Sequence, residues 1–213
     1  MSDYINNLRN KLRFNSPMRI LLDGLRHIGL TFMPFYIFNE DVKARMSANT
    51  LSLPKNFEFC HLTDQDMPEL ELLPMRTRKA GSLLKLMEDG NRCLAIRIHG
   101  QIAAFSWFNT HECNFSGAQF PLGASEAYLF DTYTSPDFRG QNLAPLVRQE
   151  IYKVLYALGI SKALSVSECF NRPAIRFKSK LGATKKSLLL FVSLKKFNIT
   201  LPIKQYEAEV TNP

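Results

Sequence analysis

The run from Ser135 to Ala144 reads S-P-D-F-R-G-Q-N-L-A. It lies between a strand-like stretch, Glu126 to Thr134, and a helix-like stretch in which Leu143, Leu146, Val147, Ile151, Val154 and Leu155 recur at helical spacing. Strand, tight basic turn and helix in that order leave several backbone N–H groups without partners at a helix N-terminus, where the macrodipole also favours negative charge. The chemistry this suits is the holding of a phosphate or pyrophosphate by main chain. Carboxylates stand close by: Glu126 and Asp131 on the strand-like stretch, and Glu168 just after the next one, Ala163 to Ser167. Asp131 interrupts an otherwise uncharged run, where a carboxylate is seldom idle. Glu168 alternates with Val166 and shares its face, three residues before Asn171. Either acid can act as a general base, and for each the plain alternative is a helix-capping or surface carboxylate.

A second segment, Asn171 to Ala183, reads N-R-P-A-I-R-F-K-S-K-L-G-A. With the first it resembles the GNAT acetyltransferase superfamily. The family signature, Gln/Arg-x-x-Gly-x-Gly/Ala, is matched by Arg139, Asn142 and Ala144, after a Pro-acid-aromatic-Arg-Gly lead-in at Pro136 to Gly140. Asn142 stands where glycine is usual, and Asn is the other residue that best tolerates left-handed backbone angles. The family's next element, Asn-x-x-Ala-x-x-Leu/Phe-Tyr-x-x-x-Gly, is matched by Asn171, Ala174, Phe177 and Gly182, with Lys178 in the tyrosine's place. Between the two motifs lie one helix, Leu143 to Leu158, a stop at Gly159 and one strand, as in the family. The strand Phe57 to His61, followed by Thr63 as N-cap before Asp64 and Asp66, is similar to the opening of such a domain.

The resemblance implies acetyl-coenzyme A, or another acyl-coenzyme A, as co-substrate. The main chain of Thr132, Tyr133 and Thr134 would pair with the pantetheine amides. Arg139, Gly140, Gln141, Asn142, Leu143 and Ala144 would wrap the pyrophosphate, with Asn171, Ala174 and Phe177 also on the cofactor side. Lys178 or Lys180 would meet the adenosine 3′-phosphate as point charges. The implied reaction is N-acyl transfer to a primary amine by direct attack on the thioester. Glu168 or Asp131 would be the base, and Tyr133, Tyr128 or Lys178 would return a proton to the thiolate. The acceptor side is aromatic, with Phe105, Trp107, Phe108, Phe115, Phe120, Tyr128 and Phe130, which suits a small amine such as an amino sugar or amino acid better than a highly charged polyamine. Two alternatives stay open: a binding module of the same fold without turnover, and a long-chain N-acyltransferase fed by acyl carrier protein.

The elements that must position these residues predict an α/β (α+β mixed) fold. Its centre is a mixed, mostly antiparallel sheet with helices on both faces, plus an N-terminal helical appendage. Residues 1–46 read as a basic amphipathic appendage, with Leu8, Leu12, Leu21, Leu25, Ile28 and Phe32 at helical intervals. Residues 47–56 read as a linker and residues 57–213 as the acyltransferase domain. Within that domain the pattern predicts a helix over Thr77 to Glu88, a hairpin turning at His99-Gly100, a loop from Cys113 to Ser125 or a hairpin in its place, and a closing strand over Ser187 to Phe197.

Hydrophobic residues make up 46% of the 213 and charged residues 22%, which excludes a disordered chain. The net charge of +8 suits anionic partners such as coenzyme A, nucleic acid or anionic lipid. No nucleic-acid motif accompanies it, so none is expected as partner. Four His residues lack metal-ligand spacing, and Cys60, Cys93, Cys113 and Cys169 form no C-x-x-C pair, so no metal is expected. Unpaired cysteines and the absence of a secretory signal lead to a cytoplasmic expectation. The stretch Met18 to Phe38 is interrupted by Arg19, Asp23, Arg26 and His27 and is too polar to span a bilayer. Residues 1–46 remain open to a peripheral membrane contact, a homodimer contact or packing on their own domain.

Overall fold

The computed structural model describes residues 24–25, 29–46, 57–194 and 197–206. Along them run β1 (Leu30–Asp41), α1 (Val42–Met46), β2 (Phe57–His61), α2 (Met67–Leu72), α3 (Ala80–Glu88), β3 (Arg92–Ile98), β4 (Gln101–Asn109), β5 (Glu112–Phe115), β6 (Ala118–Pro121), β7 (Glu126–Thr134), α4 (Leu143–Ala157), β8 (Lys162–Glu168), α5 (Arg172–Lys180), β9 (Thr184–Leu194) and β10 (Phe197–Gln205). Two compact units result. Among the described residues, the larger comprises 40–46, 57–113 and 120–165, and the smaller 24–25, 29–39, 114–119, 166–194 and 197–206.

In the larger unit β2, β3, β4 and β7 form antiparallel pairs, and β8 adds in parallel beside β7 through the crossover helix α4. His99 and Gly100 both take positive φ, 51° and 79°, and make the two-residue turn between β3 and β4. Alternation along β4 sends side chains to two layers. Ala104 and Phe108 join Leu94, Ile96 and Leu129 against Leu146, Val147, Ile151 and Leu155 of α4. Phe105 and Trp107 join Cys93 and Ala95 against Met67, Leu70 and Leu83 of α2 and α3. Pro145 is tolerated in α4 because the N–H it lacks would have no partner in the first turn. The helix stops where Gly159 turns to φ 78°. Thr63 caps the turn before α2 as expected, its amide bonded to Asp66 Oδ2 at 2.7 Å.

In the smaller unit β9 pairs antiparallel with β1 on one side and β10 on the other. The tip of the β5–β6 hairpin packs on one face of these strands. A Cβ on Gly117 would lie 2.7 Å from Phe191 Cβ and 2.8 Å from Phe35 Cε1, so the approach needs glycine. Thr200 Oγ1 donates to Gly117 O at 2.6 Å.

Several sequence expectations change. Leu30–Asp41 is a strand, not part of a helical appendage. The helical count through Leu25, Ile28 and Phe32 runs across Gly29, which sits at φ 80°, and the aromatic, β-branched run with Pro34 disfavours a helix. Burial of Met33, Phe35 and Ile37 alternates as a strand requires. Residues 1–23, 26–28 and the proposed linker 47–56 lie outside the described residues. The packed larger unit opens before Phe57, since Glu40 and Val42 are buried in it. The stretch Cys113 to Ser125 takes the hairpin alternative through β5 and β6, α3 begins at Ala80 rather than Thr77, and the closing strand is followed by another, β10.

Candidate active site

The centre of the site is a kink in β7. Tyr133 lies opposite Phe105 and Phe130 opposite Trp107, so Ser106 alone faces the two residues Asp131 and Thr132. This is a β-bulge, and Asp131 carries its strain at φ 46°, a left-handed conformation that costs about 1–3 kcal/mol unless neighbours enforce it. The neighbours do so from both layers. Arg76 donates Nη1 to Asp131 Oδ1 at 2.6 Å and Nη2 to Oδ2 at 2.7 Å, and Arg78 Nε lies 3.8 Å from Oδ2. The Arg76 guanidinium also lies over the rings of Phe105 and Tyr133, 5.1 and 5.6 Å from their centroids. Burial works against its charge, but the hydrogen bonds and charge of Asp131 outweigh burial and hold it more firmly protonated than usual.

From the other layer Arg148 Nη2 donates to Thr132 Oγ1 at 3.0 Å, and Thr132 Oγ1 lies 2.8 Å from Ser106 Oγ. Behind Arg148 stands Glu40, 4.0 Å from its Nε, accepting hydrogen bonds from Tyr152 at 2.5 Å and from Ser165. Burial, then the charge of Glu40, pushes the Tyr152 phenol up, so it remains a proton donor.

Beyond the kink β7 keeps its pairing with β4 and has none with β8. The parallel ladder between β7 and β8 ends at the pair Leu129 and Ser165. Thr134 still pairs with Ala104, Ser135 N donates to Ala103 O at 2.9 Å, and a 3₁₀ turn spans Pro136–Phe138. Gly140 then takes φ 85° and Asn142 φ 57°, the left-handed geometry expected of Asn142, before α4 begins. Among the described residues the amides from Gly140 to Ala144 donate to no backbone carbonyl, and the first such bond is Leu146 N to Asn142 O at 3.3 Å. No acid stands in the first turn of α4. The position a Cβ would take on Gly140 has nothing within 4 Å. The segment therefore offers unused donors, open space and a helix N-terminus to an anion.

The remaining predicted residues fall as follows. Arg139 is exposed and folds back, donating to Thr134 O at 3.4 Å and to Met75 Sδ at 3.5 Å. Gln141 is exposed, while Leu143 is buried and offers only its main chain. Tyr133 stacks on Phe105 with centroids 5.3 Å apart and donates its hydroxyl to Pro74 O at 2.8 Å. Burial raises its pKa, yet its proton is aimed at that carbonyl. Asp131 is held by two guanidinium groups, an arrangement that suits a structural anchor better than a proton acceptor. Glu168, Asn171, Ala174, Phe177, Lys178 and Lys180 belong to the smaller unit. There Glu168 is half-buried and Asn171 caps α5 through Oδ1, which accepts from Ala174 N at 3.2 Å. Lys178 is buried, donating Nζ to Val166 O at 2.7 Å and lying 5.0 Å from the Phe38 centroid, whereas Lys180 is exposed. The expected phosphate contact through Lys178 thus conflicts with where its ammonium points.

Arg76, Arg78, Arg148 and Glu40 were missed in the sequence. The basic run Arg76 to Lys79 was the one available signal, and such runs are usually solvated. A cavity of about 380 Å³ also lies among Gly90, Arg92, Phe108, His111 and Leu158, at the Asn109 end of β4. Among the described residues no group of three or more His, Cys, Asp or Glu can hold a metal ion.

A sequence model of the family described as "Acetyltransferase (GNAT) family" matches residues 56–183. Comparison with curated proteins finds no match. Among solved structures, the chain is similar to a tandem GNAT protein from the clavulanic acid biosynthesis pathway, at TM-score 0.60 and 14% identity over 83% of this chain and 55% of that one. It is also similar to an acetyltransferase of the GNAT family from Colwellia psychrerythraea (0.57, 13%, 78% and 57%). A third is a GCN5-related N-acetyltransferase from Kribbella flavida (0.55, 12%, 81% and 63%). At these identities the likeness concerns the fold, and the chain spans 55% to 66% of the length of the first three structures it matches.

Proposed function

Because this chain belongs to the GNAT acetyltransferase family, which implies an acyl-coenzyme A co-substrate, we propose that it moves an acetyl group from acetyl-coenzyme A to the primary amine of a small molecule. The observation that carries this reading is the unbroken order of three features along one strand and turn. These are the clamped kink at Asp131-Thr132, the end of the β7–β8 ladder at Leu129, and the unused amides from Gly140 to Ala144. The amides suit a pyrophosphate, the edge of Thr132 to Thr134 that does not pair with β8 suits the pantetheine amides, and the kink suits the thioester.

In this reading the amine attacks the thioester carbonyl directly, the C–N bond forms as the C–S bond breaks, and the proton lost by the amine passes to a base. Glu168 is the favoured base, because both oxygens of Asp131 already face Arg76. The family motif, and no geometry, is what assigns Lys180 to the 3′-phosphate and Asn171, Ala174 and Phe177 to the donor. Tyr133 serves as proton donor to the thiolate only after leaving the Pro74 carbonyl, and a coenzyme A thiolate leaves readily enough without it. An amino sugar or amino acid stays the favoured acceptor class, although Phe105, Trp107, Phe108 and Tyr128 are buried in the core and of this aromatic set on β4 and β7 only Phe130 is half-buried.

Calorimetry and thermal melting with acetyl-coenzyme A, followed by thiol release over a panel of small amines, test the reading. Saturable binding and thiol release are expected, with Glu168→Gln losing roughly 10²- to 10⁴-fold in kcat at unchanged donor affinity. No stabilisation by millimolar acetyl-coenzyme A would overturn the donor site.

A further inference from the structure

Charge is strongly divided between the two units. The described residues of the smaller unit carry Arg172, Arg176, Lys178 and Lys180 on α5, Lys185 and Lys186 on β9, and Lys204 on β10, against the single acid Glu168. The larger unit has acids and bases in near balance. In the same small unit β10 is exposed along nearly its whole length. Its polar Thr200 faces inward, bonded to Gly117 O, while Phe197, Ile199, Leu201 and Ile203 are between 38% and 64% exposed. Leu194, paired with Phe197 across the hairpin, is exposed as well. One end of this strip is rimmed by cations on aromatic rings: Lys185 lies 4.2 Å from the Tyr36 centroid and Lys204 4.8 Å from that of Tyr206.

We propose that the exposed face of the β9–β10 hairpin docks on an anionic lipid bilayer. A lipid surface is the partner that meets both properties at once. Apolar side chains gain by entering the acyl boundary, while Lys and tyrosine rings sit at the level of negative headgroups. A second copy would cover the apolar strip but would bring two strongly basic units together, and like charges oppose that pairing. A nucleic acid would meet the charge but leave the strip of apolar side chains in water. Membrane docking of this kind needs no spanning helix, and none of the described helices is long and apolar enough to span. It also stands whether or not the chain transfers an acetyl group.

Co-sedimentation of the full chain with vesicles tests the proposal, using phosphatidylglycerol mixed with phosphatidylcholine against phosphatidylcholine alone. Binding to the anionic vesicles only is expected, weakening as salt shortens the screening length from about 10 Å at 0.1 M to about 3 Å at 1 M. The triple variant Phe197→Ser, Ile199→Ser, Leu201→Ser should bind on the order of tenfold less, with the folded circular dichroism spectrum retained. Should that variant fail to fold, Lys185→Gln with Lys204→Gln provides the second arm, and reduced binding to anionic vesicles is again expected. Equal binding to neutral vesicles, or undiminished binding by a folded variant, overturns the proposal. So does a dimer in sedimentation equilibrium that the triple variant dissolves, or tighter binding to a duplex DNA oligonucleotide than to vesicles.

Discussion

Arg76 and Asp131 are 55 residues apart in sequence and meet through two parallel hydrogen bonds of 2.6 and 2.7 Å. The pair encloses the one left-handed residue in β7, so charge and backbone geometry are tied together. Asp131→Asn keeps the size and the tolerance of left-handed angles while removing the charge. Loss of about 1–3 kcal/mol in urea unfolding is expected, because Arg76 is left mostly buried without its counter-ion. Arg76→Gln should cost a similar amount, and the double variant less than the two losses added.

Asn142 gives a second test. It holds φ 57° at the mouth of the unused amides, and a β-branched residue there would be strained. Asn142→Gly should fold normally and be stabilised by coenzyme A at least as much as the parent chain. Asn142→Val should lose about 1–3 kcal/mol and most of the thermal stabilisation by coenzyme A.

Glu40 receives hydrogen bonds from Tyr152 and Ser165 and stands near Arg148, all buried in the larger unit. Glutamine offers one acceptor oxygen and one donor group, so one of the two hydroxyls would face an N–H. Glu40→Gln is expected to lower stability by about 2–4 kcal/mol in denaturant titration. A chain starting at Ala48 loses Glu40, Val42 and strand β1 together, and should be insoluble or unfolded by circular dichroism.

Asp66 governs a pH response. Burial works against its charge, but the amide and hydroxyl of Thr63 and the Arg97 guanidinium outweigh burial and hold its carboxyl below the usual range. A depressed folded pKa adds stability above the unfolded pKa of roughly 4, and that stability is lost as pH falls through the folded value. The Tm gap between the parent chain and Asp66→Asn should therefore be full at pH 7 and close progressively below about pH 4.

Sequence reading located the elements whose patterns are local. The β3–β4 hairpin at His99-Gly100, α4, the left-handed Asn142 and the cap at Thr63 all follow from neighbouring residues. It lost what depends on distant pairing. Whether Leu30–Asp41 becomes strand is decided with β9, and the inward turn of Lys178 is decided by the Val166 carbonyl and the Phe38 ring. Asp131 looked like a reactive acid because its two arginine partners lie more than fifty residues upstream, in a loop whose charges read as solvated.

Asp131 and Thr132 are consecutive, and each is gripped by a guanidinium from a different layer, Arg76 from the side of α2 and α3 and Arg148 from α4. Any drift of the kink toward one layer stretches a contact in the other, so its resting position is a balance point with a restoring pull in both directions. Loss of either grip should let the kink settle toward the layer that keeps its contact, so the two guanidinium groups together fix the register of β7 beyond Phe130.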